Sequence, residues 1–412
     1  MGDGVPNQYK EEKSMQEKKP TALNTFAILS LSLVSMAITV VTPAMATFAA
    51  VFPGQNITFI STLPTLFIVI ATFISGAIMG KSVKYRTLAI LGNTVALLGG
   101  IAPAIIGTPD NFALILVCRG IFGFGLGLMS PLGNALIIGL YEGQKRASIL
   151  GYGTLCMNFG GIVCQMLGGA LAGMDWKMTF WGHGFLIIAV LMSFFIPEPP
   201  KVEMPQGAAD GPKPKPGVAT IGGAVLLVIF NIVNYPNMMN MSILFEQRNA
   251  GGAVAAATAL SLYTVAGCVA GLIFGQLFKL AQRWCFLIGY IICTAGSVCI
   301  YFGTTNIIMT LGLCLIGFGF SIIMPAIMAW LGMTTHPAAI ASATAIVLAA
   351  MNIAGFISSF YVSLLQGIFG MEGYVLGGVL CAVVVFAATA VIFLFVNPFK
   401  NVPAGPGPAP TE

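Results

Sequence analysis

The chain has 412 residues, of which 57% are hydrophobic and 8% charged, and it carries a net charge of +5 at pH 7. So little polar surface cannot enclose a soluble globule of this size, which points to an integral membrane protein with the lipid bilayer as its surroundings. The positive charge lies in short polar breaks rather than on a folded soluble segment, so nucleic acid is excluded as a partner.

Residues 1–21 are hydrophilic and include Lys10, Lys13, Lys18 and Lys19. They are expected to form a cytosolic tail with no cleavable signal peptide. Twelve apolar spans follow, beginning near residues 23, 56, 87, 111, 146, 178, 218, 253, 284, 307, 338 and 372. Each is long enough to cross a hydrocarbon core of about 30 Å as a helix. The fold class expected is therefore an all-α membrane protein of 12 transmembrane helices. Residues 22–197 and 218–398 form two six-helix bundles, 198–217 a proline-rich cytosolic linker and 399–412 a disordered tail. With the N-terminal tail in the cytosol, every basic residue except Lys177, Arg248 and Arg119 falls on the cytosolic side. Both termini are thus expected in the cytosol, with a bacterial plasma membrane as the location and a monomer as the working state.

The fourth and fifth spans are repeated in the tenth and eleventh. Gly123-Phe-Gly125, Pro131 and Met157-Asn158 recur 194 positions later as Gly317-Phe-Gly319, Pro325 and Met351-Asn352. Ten of the 39 positions from Gly123 to Gly161 are identical at that offset, about three times chance for this composition, which implies two related halves. A proline lies deep in the first span of each group of three: Pro43, Pro131, Pro236 and Pro325. Each removes a helix hydrogen bond, so these four spans are the candidates to bend around a cavity, with kinks that only shape packing as the plainer alternative.

Arg119 is the one basic residue inside a span. Burying it unpaired would cost about 3 kcal/mol or more, so it either contacts substrate or pairs with helix carbonyls. No aspartate or glutamate lies in a span interior, and His183 is the lone histidine within one. Proton coupling therefore has few candidate carriers. Span seven is the most polar, with Asn231, Asn234, Tyr235, Asn237 and Asn240 around Pro236. Its asparagines fan over about half the helix circumference and need a partner helix or a wet cavity. Asn134 stands where the second copy has Met328, and Met45 and Trp330 could border the same cavity. Asn158 and Asn352, in register and among small residues, read as helix-packing amides. The nine cysteines lie within or at the edges of spans and show no metal-type spacing, so neither a metal nor a cofactor is expected.

The 6 + 6 arrangement, the central loop and the glycine patterns together resemble the major facilitator superfamily over residues 22–398. Arg119-Gly-Ile-Phe-Gly123-Phe-Gly125 is similar to that family's fourth-helix signature, with Phe122 in place of its glutamine. Gly76-Ala-Ile-Met-Gly80-Lys81-Ser-Val-Lys84-Tyr-Arg86 resembles its signature loop, with Gly80 in place of an aspartate. The resemblance implies gating or coupling roles for Gly76, Lys81, Lys84 and Arg86, with Glu142 ahead of Lys145 and Arg146 as the candidate for part of the missing charge. Gly160 followed by Cys164-Gln165 and Gly168-Gly169 has the spacing of the family's antiporter signature, with Cys-Gln for Gly-Pro. What this implies is a secondary transporter of a small organic solute, working by alternating access and not an enzyme. Two substrates stay open: an exported amphipathic compound, or an organic anion taken up or exchanged and steadied by Arg119. The rival from another class is a non-transporting membrane sensor or an embedded enzyme. Either would need clustered acid, base or metal-binding residues or a sizeable soluble domain.

Overall fold

The computed structural model describes residues 20–80, 82–199, 217–335 and 340–400. Lys81, nearly all of the N-terminal tail, most of the linker and nearly all of the C-terminal tail lie outside the described residues. Every named element is a helix. The chain runs through α1 (Ala22–Val51), α2 (Phe59–Ile78), α3 (Tyr85–Ile106), α4 (Phe112–Leu140) and α5 (Gly143–Ala172). A segmented α6 (176–193) ends the first half. The second half has α7 (Val218–Met239, continued by Met241–Gln247), α8 (Ala253–Ala281), α9 (Cys285–Phe302) and α10 (Asn306–Thr334). A 56-residue stretch, Ile340–Phe395, turns at Gly370, whose φ of 74° only glycine adopts readily. It divides into α11 (340–369) and α12 (371–395).

Among the described residues nine helices are long and apolar enough to cross a membrane. The count of twelve spans rests on dividing two of them, at Gln282–Trp284 and at Gly370, and on adding α6. Helix 6 falls short because Gly182-His183-Gly184-Phe185 winds as a 3₁₀ turn between two short α segments. The four prolines act differently. Pro43 sits in a 3₁₀ stretch, Ala37–Ala44, and Pro131 stands at the break that splits α4. Pro236 lies within α7 ahead of a break at Asn240, and α10 runs through Pro325 without interruption.

The duplicated Gly-Phe-Gly proves to be a close-packing device. A Cβ on Gly123 would lie 2.3 Å from the Pro64 carbonyl of α2, and one on Gly125 2.3 Å from the Ala96 nitrogen of α3. In the second copy, Gly317 meets the Tyr263 carbonyl of α8 at 2.4 Å and Gly319 the Cys293 sulfur of α9 at 2.5 Å. Without a hydrophobic force between helices in lipid, backbones must approach this closely for dispersion to hold them. The apolar cores follow the halves. One cluster runs from Ala27 to Ile196, and a second from Ala219 to Phe393. A third, around Met45, Phe48, Phe52, Trp176 and Phe180, reaches across to Ala253.

The end of α6 is fastened to α3. Glu198 accepts from the backbone N–H groups of Tyr85 (3.0 Å) and Arg86 (2.9 Å), and the Arg86 Nε donates to the Ile196 carbonyl at 2.9 Å. A carboxylate at a helix N-terminus satisfies otherwise orphaned donors and complements the helix dipole.

Candidate functional site between the two halves

The hydrogen bonds that Thr42, Ala46, Asn56 and Thr62 make across to the other half fall at one end of the bundle. Asn56, ahead of α2, donates its Nδ2 to the Ser359 carbonyl (2.7 Å) and to Ser363 Oγ (2.9 Å) of α11, and Thr62 bonds the Ser359 hydroxyl. Phe59 packs on Phe356 and Phe360 in the same seam. Between α1 and α7, the Ala46 N–H donates to Ser242 Oγ at 3.0 Å, and Thr42 contacts Met239. Between α5 and α8, a Cβ on Gly169 would meet the Ala257 Cβ at 2.3 Å and the Ala253 carbonyl at 2.9 Å.

The opposite end is open. Gly151 lies eighteen residues before Gly169 on α5, which is five helical turns and about 27 Å in the same direction. Gly275 stands in that relation to Ala257 on α8. Nothing approaches within 4 Å of a Cβ at either glycine. Two helices that touch at Gly169 and Ala257 have therefore parted by Gly151 and Gly275, and the space between the halves is a wedge. Its open end carries Lys84, Arg86, Lys145, Arg146, Lys279 and Arg283.

The structure distributes the residues singled out from sequence unevenly around this wedge. Arg119 is fully buried inside the first half. Its Nε donates to the Ile60 carbonyl at 2.7 Å, its Nη1 lies 3.3 Å from His183 Nε2, and the guanidinium stacks 4.3 Å from the Phe122 ring. His183 is held in turn by the Phe180 carbonyl at 3.0 Å. A buried cation with a carbonyl, a ring and a histidine around it is a structural knot tying α2, α4 and α6. Met45 is equally enclosed, in the aromatic cluster at the closed end. Trp330 turns into the second half, with its ring edge 2.7 Å from a Cβ on Gly222 and its centroid 6.4 Å from Phe286.

Span seven supplies buried amides at the centre. Asn231 donates to the Leu227 carbonyl of its own helix at 2.7 Å, and Asn234 to Met238 Sδ at 3.5 Å. Asn237 is 2% exposed, with neither amide atom partnered among the described residues. Its Oδ1 lies 3.6 Å from where Gly378 of α12 would carry a Cβ. Tyr235 is half-buried and reaches the junction of three helices, where a Cβ on Gly355 of α11 would touch its ring (3.3 Å) and Thr65 Oγ1 of α2 (3.4 Å). Asn134 is exposed on the second segment of α4.

At the open end, a Cβ on Gly76 would meet nothing, Lys84 caps α3 by its backbone, and Arg146 donates to the Tyr141 carbonyl at 2.7 Å. Glu142 is exposed at the start of α5 and makes no side-chain cap. The carboxylate that meets the start of α3 is Glu198, which sequence reasoning assigned to the linker. Its signal was the Pro-Glu-Pro-Pro run at the end of span six.

A family model described as Major Facilitator Superfamily matches residues 27–279. The chain belongs to the Major Facilitator Superfamily. Multidrug transporter protein MdtP of Bacillus subtilis (strain 168) is 25% identical over 193 residues, 45% of this chain and 34% of MdtP, so the match spans well under half of that relative. Solved superfamily folds align over most of the chain. Nucleoside transporter NupG gives a TM-score of 0.71 at 13% identity, covering 92% of this chain and 100% of that one. D-xylose-proton symporter gives 0.72 at 15%, covering 92% and 98%. A bacterial homolog of the human lysosomal transporter Spinster, in an inward-facing and occupied conformation, gives 0.70 at 13%, covering 91% and 97%. At such identities these likenesses establish the fold. As a superfamily member with helices long and apolar enough to span a membrane, the protein is a multi-pass membrane protein of a transporter family rather than an enzyme family.

Proposed function

We propose that this superfamily member is a secondary transporter that exports small amphipathic compounds by alternating access, its halves rocking about a site near the midplane. The observation that carries the reading is the wedge, closed at Asn56/Ser359 and Gly169/Ala257 and open at Gly151 and Gly275. The open end carries Lys84, Arg86, Lys145, Arg146, Lys279 and Arg283 against Lys177 and Arg248 at the closed end, an imbalance that under the positive-inside rule supports a cytosolic open end in a plasma membrane, with both termini on that side. Export of amphipathic compounds is favoured over carriage of an organic anion because Arg119 is already engaged by Ile60 and His183 and does not reach the wedge. The partial likeness to MdtP, a multidrug transporter by name, supports the same choice. Neutral amides and hydroxyls from α5, α7 and α11 supply the polar contacts.

The test is transport by the full chain reconstituted in proteoliposomes. Rhodamine 6G is expected to move faster than through protein-free vesicles, and an imposed pH gradient to change the rate little, since no carboxylate lies in the interior of a span. Protein-free rates for amphipathic dyes, with saturable uptake of an organic anion instead, would overturn the export reading.

A further inference from the structure

Asn158 of α5 and Asn352 of α11 occupy one position in the two copies of the repeat, and the seams of the bundle fix which way each faces. On α5, Asn158 lies eleven residues before Gly169, three turns and about 20°, so it points along the stripe that touches α8 of the other half. On α11, Asn352 lies seven residues before Ser359 and eleven before Ser363, within about 20° of both. Those serines receive Asn56 and Thr62 of the other half. Each amide therefore faces the opposite half about 16 Å along its helix from Gly169 or Ser363, where the wedge has begun to open.

Exposure agrees with that direction. Both residues are only half-buried near the middle of membrane spans, Ser148–Ala172 and Ala343–Phe395 after division at Gly370. Hydrocarbon cannot satisfy an amide, so the exposed surface must belong to the wedge. The lipid-facing stripe of α5 lies elsewhere on the helix, at Tyr152, Leu155, Phe159 and Val163, and is apolar. Asn352 spends one N–H on the Leu348 carbonyl of its own helix, and Asn158 has no partner among the described residues. On the same stripe, two turns deeper, Gln165 is 4% exposed with its Oε1 unpartnered.

We infer that Asn158 and Asn352 are a two-fold-related pair of substrate contacts, one on each seam of the wedge, binding an organic solute that carries hydrogen-bonding groups at two opposite ends. This rests on the export reading and names the substrate class for it. Amides are uncharged and both donate and accept, so the pair takes a neutral solute, or one with delocalised charge, in either orientation. A solute bridging both seams touches both halves at once, and the separation of the amides changes as the open end closes or widens.

The experiment measures saturable transport of two probes by the full chain in proteoliposomes. Rhodamine 6G bears an N–H at each end of its ring system, whereas tetraphenylphosphonium has no hydrogen-bonding group. Asn158→Ala and Asn352→Ala are each expected to raise KM for rhodamine 6G about 3- to 10-fold, with kcat nearly unchanged, as loss of one neutral hydrogen bond dictates. Tetraphenylphosphonium KM stays the same in both variants, and Asn158→Gln, which keeps the amide, recovers part of the rhodamine 6G affinity. Unchanged rhodamine 6G KM in both variants, or an equal loss with both probes, would overturn the pair and leave the export reading standing. Wild-type protein that moves neither probe would overturn the export reading and the pair together.

Discussion

Asn56→Ala removes the polar clasp of one seam without touching either helix core. Its Nδ2 makes two hydrogen bonds to α11, to the Ser359 carbonyl at 2.7 Å and to Ser363 Oγ at 2.9 Å. Each neutral bond has a net worth of about 0.5–1.5 kcal/mol, so the closed end loses about 1–3 kcal/mol relative to the parted one. That corresponds to a shift of about 5- to 150-fold in the equilibrium between them. The Thr62–Ser359 bond and the Phe59/Phe356/Phe360 cluster remain, so the variant stays folded. Hydrogen–deuterium exchange of peptides covering 52–62 and 356–366 is expected to speed up, while peptides of α3 and α9 exchange as before. Superimposable exchange in wild type and Asn56→Ala would refute the assignment of this contact as a latch between the halves.

Two further outcomes follow from the same geometry. Arg119→Gln removes the bond to the Ile60 carbonyl and the stack on Phe122, so stability falls by about 2–3 kcal/mol, read as a lower Tm in detergent. Ligand-induced stabilisation by amphipathic dyes persists in the folded fraction, and its loss together with loss of organic-anion binding would return Arg119 to the binding site. Glu198→Ala frees the backbone N–H groups of Tyr85 and Arg86 at a cost of about 1 kcal/mol. The start of α3 then exchanges faster, and an unchanged exchange profile there would show that the cap contributes nothing.

Much of the fold was legible because its determinants are local. Hydropathy over about 20 residues decides whether a segment spans a membrane, and a 194-residue repeat reports two equivalent halves. The duplicated Gly-Phe-Gly was visible as a pattern, and its meaning came from the Pro64 and Tyr263 carbonyls that lie against it. The candidate site was less legible. Span seven drew attention through its asparagines, yet Asn231 bonds its own helix and Asn237 is sealed inside the second half, whereas Asn158 and Asn352 read as packing residues. Glu198 was hidden in a loop because its partners are more than a hundred positions away.

What the sequence alone determined is the class of molecule: a duplicated helical membrane protein with most of its positive charge on one side and no acid in the interior of its spans. Composition and period suffice for that, since lipid requires each spanning segment to satisfy its own backbone whatever its neighbours. Only the tertiary structure decided which way each polar side chain faces. A helix places a residue every 100° without stating where zero lies, and that origin is set by contacts such as Gly169 on Ala257 and Asn56 on Ser363. Measured from them, Arg119 turns inward to its own half, and Asn158 and Asn352 turn toward the gap.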